Sequence, residues 1–227
     1  ININKGEPAI TINSLYRKKL GGIDTKSIHE LEIRAANGWL GRLLANIQHP
    51  QVVKMTINWP EKFARKGHEI FLSGLPIALH CHHYNMNLQK TLESSLGGEG
   101  ALLIYEAAEE SSYVGFTSLL RGHPKINTVK SKLELASTSY QYCGLGIINF
   151  SEIGPEGGRI VSPHSHHVTG WLAKFGKRET PGCFFSRGWI AGALAVIYDK
   201  HIGYYRVDEL ECKMAQAPEC IFEVSKV

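Results

Sequence analysis

Long hydrophobic runs are missing from this sequence of 227 residues. The longest apolar stretch, residues 190–198, is far shorter than the roughly 18 residues that a membrane-spanning helix needs. A strong excess of charge of one sign is missing too, because 25 basic and 21 acidic residues give a net charge of +4 and the basic residues are scattered. We therefore expect neither a membrane partner nor a nucleic-acid partner.

Cysteine is scarce, and its count of five is odd, which excludes a complete disulfide framework. No secretory signal peptide is apparent at the start of the sequence, so we expect a cytoplasmic protein with reduced thiols. Hydrophobic residues make up 43% of the chain, enough to build a core. This content excludes disorder as the main state of the chain.

The N-terminal part, residues 1–74, is predicted to be an arm made of a helix and the leading strands. A capping box at residues 27–30 precedes apolar residues at helical spacing, which predicts a helix over residues 28–47. Its apolar residues, among them Trp39 and Leu40, occur on more than one face. Such an excess suits an interface better than a solvated surface, so the arm is predicted to pair two subunits into a homodimer.

The rest of the chain alternates between helical and strand patterns. The first predicted helix after residue 74 begins at Pro76 and ends before Gly97. The later predicted helices cover residues 101–110, 114–120 and 127–136, a helix capped by Ser165 that ends at Phe175, and residues 183–198. The predicted strands cover residues 52–59, 69–72, 140–150, 158–162, 202–212 and 220–227, and the last two form a hairpin.

Cysteine, glutamate and glycine recur with a specific spacing near the C-terminus. Cys183 precedes a helix that carries Gly188 and Gly192, and the hairpin adds a Glu-x-x-Cys motif and a further cysteine, which together give Glu209, Cys212 and Cys220. This pattern resembles the 4-vinyl reductase domain family over roughly residues 75–227. Residues 67–74 resemble the leading strand of the related sensory domain of phenol-responsive bacterial activators.

The resemblance implies an α+β fold, an antiparallel sheet with helices packed on it, which is shared with subunits of the TRAPP vesicle-tethering assembly. It also implies a ligand-binding domain over residues 75–227 and a structural zinc ion. The zinc ligands carried over are Cys183, Glu209, Cys212 and Cys220. Three thiolates and one carboxylate form a closed tetrahedral shell that leaves no position open for catalysis. The alternative is that these side chains are ordinary members of a hairpin core.

Histidine is unusually frequent, with eleven residues, and it is clustered. His80, His82 and His83 follow Pro76 on the predicted helix, while His164, His166 and His167 lie where a strand passes into a helix. Helical spacing would place His80 and His83 on one face. We predict that His80, His83, His164 and Tyr140 bind a ligand, and that the three histidines hold either a second metal or the polar head of an aromatic or haem-type molecule. The histidines could instead be surface residues.

Three functions remain open at this point. The first is a small-molecule-binding protein for aromatic or tetrapyrrole-like ligands, with structural zinc. The second is a metal- or cofactor-dependent enzyme that uses His80, His83 and His164. The third is a scaffold protein. The family name implies reduction of a vinyl group, but the sequence has no nucleotide or flavin fingerprint to supply the hydride.

Overall fold

A computed structural model describes residues 59–227. Its helices are α1 (Trp59–Lys62), α2 (His82–Leu96), α3 (Gly98–Arg121), α4 (Val129–Tyr142), α5 (His166–Phe175) and α6 (Phe184–Ile197), with a 3-10 turn at Lys213–Ala215. Its strands are β1 (Phe63–Lys66), β2 (Glu69–Leu72), β3 (Leu75–Ile77), β4 (Gly146–Gly154), β5 (Gly157–Ser165), β6 (Tyr205–Glu211) and β7 (Cys220–Lys226).

The strands form two antiparallel sheets. Strands β1, β2 and β3 make a small meander, and the larger sheet has the order β4-β5-β7-β6. Strands β6 and β7 form the hairpin that the sequence predicts, with Val207 opposite Val224. This arrangement of helices and antiparallel strands confirms the predicted α+β class.

Strand β6 alternates between buried and exposed side chains and then breaks its register. Tyr205, Val207 and Glu209 share the buried face, so a carboxylate occupies a core-facing position. Glu209 lies opposite Phe222 and Glu211 opposite Ile221, which leaves the intervening residue of β6 unpaired in a β-bulge. Cys212 follows directly after this bulge.

Helix α6 is buried along most of its length and packs closely against α3. Its apolar residues Ile190 and Leu194 are fully inaccessible to solvent. Two glycines, Gly188 and Gly192, lie against the α3 backbone at Tyr105 and Glu109, where a Cβ atom would overlap carbonyl oxygens. Small residues on α6 thus allow the two helices to approach at backbone distance.

The predicted start of helix α2 is wrong. Pro76 does not open a helix but lies in β3, opposite Phe71, and α2 begins only at His82. Proline has no amide N–H to donate, so it is tolerated in an edge strand such as β3.

Two further boundaries differ from the sequence prediction. The predicted helices 101–110 and 114–120 are parts of the single helix α3, whose Ser112 hydroxyl donates to backbone carbonyls instead of breaking the helix. The predicted strand 140–150 begins only at Gly146, because α4 extends through Tyr142. Gly144, with φ +74°, then turns the chain into β4.

The predicted capping box, the 28–47 helix and nearly all of the predicted strand 52–59 lie outside the described residues. The homodimer and the domain boundary after residue 74 therefore stay predictions. Within residues 59–227, no helix combines the length and the hydropathy that crossing a membrane requires.

Candidate functional site

Four buried side chains converge between the start of α6 and the β6–β7 hairpin. Cys183, Glu209, Cys212 and Cys220 each offer one ligand atom, and these atoms all lie within 4.8 Å of one another. The three cysteines are at most 1% exposed and Glu209 is 9% exposed. Within residues 59–227, this is the one group of three or more such residues that could hold a metal ion.

The sulfur separations fit a tetrahedral metal shell. Cys183 Sγ lies 3.9 Å from Cys212 Sγ and 3.8 Å from Cys220 Sγ. Ligands at a zinc–sulfur distance of about 2.3 Å span tetrahedral edges of about 3.8 Å. A disulfide would require about 2.0 Å. The Glu209 Oε1 atom is buried without a hydrogen-bond partner, which is the state of a carboxylate oxygen left for a cation.

Each ligand comes from a different local structure. Cys183 is the residue before α6, Glu209 faces the core from β6, Cys212 follows the β6 bulge, and Cys220 begins β7 on its buried face. The Cys183 amide donates to Glu209 Oε2 at 2.8 Å. The cluster therefore joins the helix to both strands of the hairpin.

The loop that delivers Cys183 is held by α2. Gln89 donates from Nε2 to the Gly182 carbonyl at 2.8 Å. Glu93 accepts from Arg178 Nη1 at 3.1 Å, and the Arg178 amide donates to the Met214 carbonyl. These contacts fix the backbone immediately before Cys183.

The electrostatics of the cluster favour a cation. Burial, together with neighbouring Cys212, raises the pKa of Glu209 to about 8. Hydrogen bonds to Cys212 and Cys220 and burial raise the pKa of Cys183. The same sulfur contacts lower the pKa of Cys212, because its neighbours donate to its thiolate. Without a cation the group can hold little negative charge, and a divalent ion would take the place of the retained protons.

The structure gives the positions of the histidines that the sequence grouped. His80 lies before α2, so helical spacing does not relate it to His83, and the centre of its exposed ring lies 4.7 Å from that of Tyr84. His83 is exposed on α2 and His164 is exposed on β5. Ligand or metal binding by these three residues stays a prediction.

A different group of histidines does meet. His82, at the start of α2, lies with its ring centre 4.0 Å from that of His166, at the start of α5. Asn85 Nδ2 is 3.1 Å from His166 Nε2. His167 is 5% exposed and its ring lies 5.1 Å from that of His166 and 4.9 Å from Phe185.

Burial of His167 makes the stability of the fold depend on pH. Burial lowers the pKa of His167 to about 3, whereas an unfolded histidine titrates near 6.5. The unfolded state therefore binds more protons as pH falls below 6.5, and stability is lost in that direction. Between pH 6.5 and 5.5 we expect His167 to account for a loss of about 1 kcal/mol.

The measurement is the urea midpoint at these two pH values for the wild-type protein and the His167→Gln variant. The variant should show the smaller change, since glutamine does not titrate. Equal changes in both proteins would contradict the assignment.

Tyr140, the remaining predicted ligand-binding residue, is 1% exposed at the end of α4. Its hydroxyl lies 2.9 Å from Ser186 Oγ, and its ring packs edge-on against Trp189 at 4.7 Å. Burial raises the pKa of Tyr140. Ligand binding by Tyr140 also stays a prediction.

Comparison with solved structures places this fold. The phenol-responsive sensory domain of the transcription activator PoxR, solved with phenol, matches 74% of this chain and 87% of its own, with 18% identity and a TM-score of 0.63. A vinyl-4-reductase family protein from Methanocaldococcus jannaschii matches 66% of this chain and 98% of its own, with 19% identity and a TM-score of 0.40. The PoxR match confirms, at the level of the fold, the predicted relation to the phenol-responsive sensory domain. No protein-family model and no curated protein sequence matches the chain.

Sequence reasoning missed the residues that hold the loop before Cys183, and it gave His167 no role in a site. Gln89 and Arg178 approach the Cys183 loop through contacts that are distant in sequence and have no local motif. For His167 a usable signal existed: on a helix that starts after Ser165, His167 and Trp171 are one turn apart on one face.

Proposed function

We propose that this chain is a small-molecule-binding domain stabilised by a structural zinc ion held by Cys183, Glu209, Cys212 and Cys220. The observation that carries the proposal is the buried cluster of three thiols and a carboxylate, whose sulfur separations of 3.8 and 3.9 Å match a tetrahedral zinc shell. Zinc suits this donor set better than magnesium or calcium, which prefer oxygen ligands.

The proposed role of the metal is structural because the chain itself supplies four ligands. A bound zinc ion would supply folding energy at this site and no open coordination position. Cys183 anchors α6, and the other ligands anchor the ends of β6 and β7. The site would therefore hold the β6–β7 hairpin against α6.

The proposed ligand is a small aromatic molecule. Support comes from the fold, which is similar to that of the PoxR sensory domain solved with phenol. Support also comes from the aromatic rings of Trp171, Phe184 and Phe185, which lie between α5 and the start of α6. A tetrapyrrole is the alternative ligand class that the test must distinguish.

The test combines metal analysis, absorption and ligand titration on the purified full chain. We expect one zinc ion per chain, no Soret band, and saturable calorimetric binding of at least one of phenol, benzoate and benzamide. Cobalt substitution should produce the sulfur-to-metal charge-transfer absorption of a thiolate site. Protein that folds without bound metal would overturn the zinc proposal. A Soret band would overturn the aromatic ligand, and binding of no small molecule would overturn the binding function.

The proposal places the protein in the cytoplasm. None of the five cysteines forms a disulfide, and Cys81 and Cys143 are exposed, which fits a reducing compartment. A homodimer formed through residues 1–74 is also part of the proposal and rests on the sequence pattern of that arm.

A further inference from the structure

Two buried rings on α5 carry nitrogens that lack partners. His167 is 5% exposed and Trp171 is 4% exposed, yet neither the His167 ring nitrogens nor Trp171 Nε1 make a hydrogen bond. The two residues are four positions apart on one helix, so their side chains lie on the same face, one turn from each other.

Arg178 adds a third unpartnered group beside Trp171. Its guanidinium carbon lies 4.7 Å from the centre of the Trp171 ring and 5.5 Å from that of Phe184. Glu93 neutralises the guanidinium through Nη1 at 3.1 Å, but the buried Nε atom has no acceptor. Phe185, 4.9 Å from His167, borders the same region from the first turn of α6.

Such a concentration of unpartnered groups is unfavourable in a folded chain. Native proteins pair most buried polar groups, and each one left unpaired costs about 1–3 kcal/mol. Here three residues, His167, Trp171 and Arg178, contribute such groups where α5 approaches the first turn of α6. Their missing partner is therefore expected to come from outside the chain.

The donor and acceptor count indicates the chemistry of that partner. Trp171 Nε1 and Arg178 Nε can only donate. The buried His167 ring is neutral, so it has one donor and one acceptor. A carboxylate accepts from several donors and brings no proton of its own, whereas a phenol hydroxyl brings a proton that itself needs an acceptor.

We propose that His167, Trp171 and Arg178 bind the carboxylate of a small aromatic acid whose ring lies against Phe184 and Phe185. This inference rests on the proposed small-molecule-binding function and specifies its ligand class. The site adjoins the metal cluster, because Phe184 follows Cys183 directly and the Arg178 side chain covers Gly182.

The experiment is a calorimetric titration of the zinc-loaded full chain with benzoate, benzamide and phenol. We expect benzoate to bind at least tenfold more tightly than the other two compounds. Trp171→Phe keeps an aromatic ring and removes the N–H donor, and it should weaken benzoate binding at least tenfold. Arg178→Lys should weaken it as well, because lysine lacks the Nε donor.

Trp59→Phe is the matched control. Trp59 is also fully buried with an unpartnered Nε1, but it stacks on Tyr142 of α4 at 5.4 Å. We expect this variant to bind benzoate like the wild-type protein. Circular dichroism and zinc content verify that each variant is folded.

The outcomes separate this inference from the proposed function. Phenol or benzamide binding as tightly as benzoate, or benzoate binding that Trp171→Phe leaves unchanged, would overturn the carboxylate site and leave the small-molecule function standing. Equal weakening by Trp171→Phe and Trp59→Phe would also overturn it. If none of the three compounds binds, both the site and the aromatic-binding function fail, while the zinc content still reports on the metal centre.

Discussion

Replacing Cys212 with serine is expected to release the proposed zinc ion and to lower stability by several kcal/mol. A neutral hydroxyl is a poor zinc ligand, and the remaining ligands would lie in a buried site built for four. Structural zinc ions bind with apparent free energies of about 10–16 kcal/mol in small metal-dependent domains. A domain that is stable by about 5–15 kcal/mol overall would lose much of that margin with the metal. Zinc content, denaturant midpoint and proteolysis of the β6–β7 hairpin measure the effect.

Cys81→Ser is the control for this substitution. Cys81 is exposed at the start of α2, where its carbonyl accepts from the amides of Tyr84 and Asn85. We expect its replacement to leave the zinc content unchanged and the stability within about 0.5 kcal/mol. A Cys212→Ser protein that retains a full zinc equivalent and melts like the wild type would refute the role of Cys212.

Gly188→Ala should destabilise the protein by about 3 kcal/mol or more. A Cβ atom there would overlap the Tyr105 carbonyl oxygen and would lie 3.0 Å from the Ala108 Cβ. The obstruction is largely backbone, so α3 and α6 would have to move apart, and α6 directly follows Cys183. Urea unfolding monitored by circular dichroism measures the change.

Gly115→Ala provides the comparison within α3. A Cβ atom at Gly115 meets no atom within 4 Å, so alanine should be neutral or stabilise the helix by up to about 1 kcal/mol. If both alanine variants unfold at the same urea concentration, the close packing of α3 on α6 does not limit stability.

The sequence predicted secondary structure correctly where the signals lie within a short stretch of residues. Strand 69–72 and the β6–β7 hairpin follow from alternation and turn residues. The helix that ends at Phe175 also forms and starts after Ser165, but the Ser165 hydroxyl makes no capping hydrogen bond. The grouping of Cys183, Glu209, Cys212 and Cys220 came from the family resemblance. The predicted hairpin is consistent with it, since a hairpin brings its two strands together.

The prediction that His80 and His83 share one helical face was wrong because it depended on where the helix begins. Taking Pro76 as the first residue of α2 put His80 and His83 on one helix, whereas the helix starts at His82. The contact of His82 with His166 joins residues 84 positions apart, and the Gln89–Gly182 hydrogen bond spans 93. Packing of α2 against α5 and against the loop before α6 sets these pairs, and no local periodicity encodes that packing.

The unpaired residue of β6 is Leu210, and it determines which side of the sheet the two ends of the Glu-x-x-Cys motif face. Along a regular strand, residues an odd number apart point to opposite sides of the sheet, so Glu209 and Cys212 would diverge. One supernumerary residue turns the odd interval into an effectively even one and returns Cys212 to the side of Glu209. The motif spacing and the bulge therefore depend on each other: keeping the interval of three while losing the bulge would turn one ligand outward, and deleting Leu210 would keep both ligands on one side only if the bulge were lost with it.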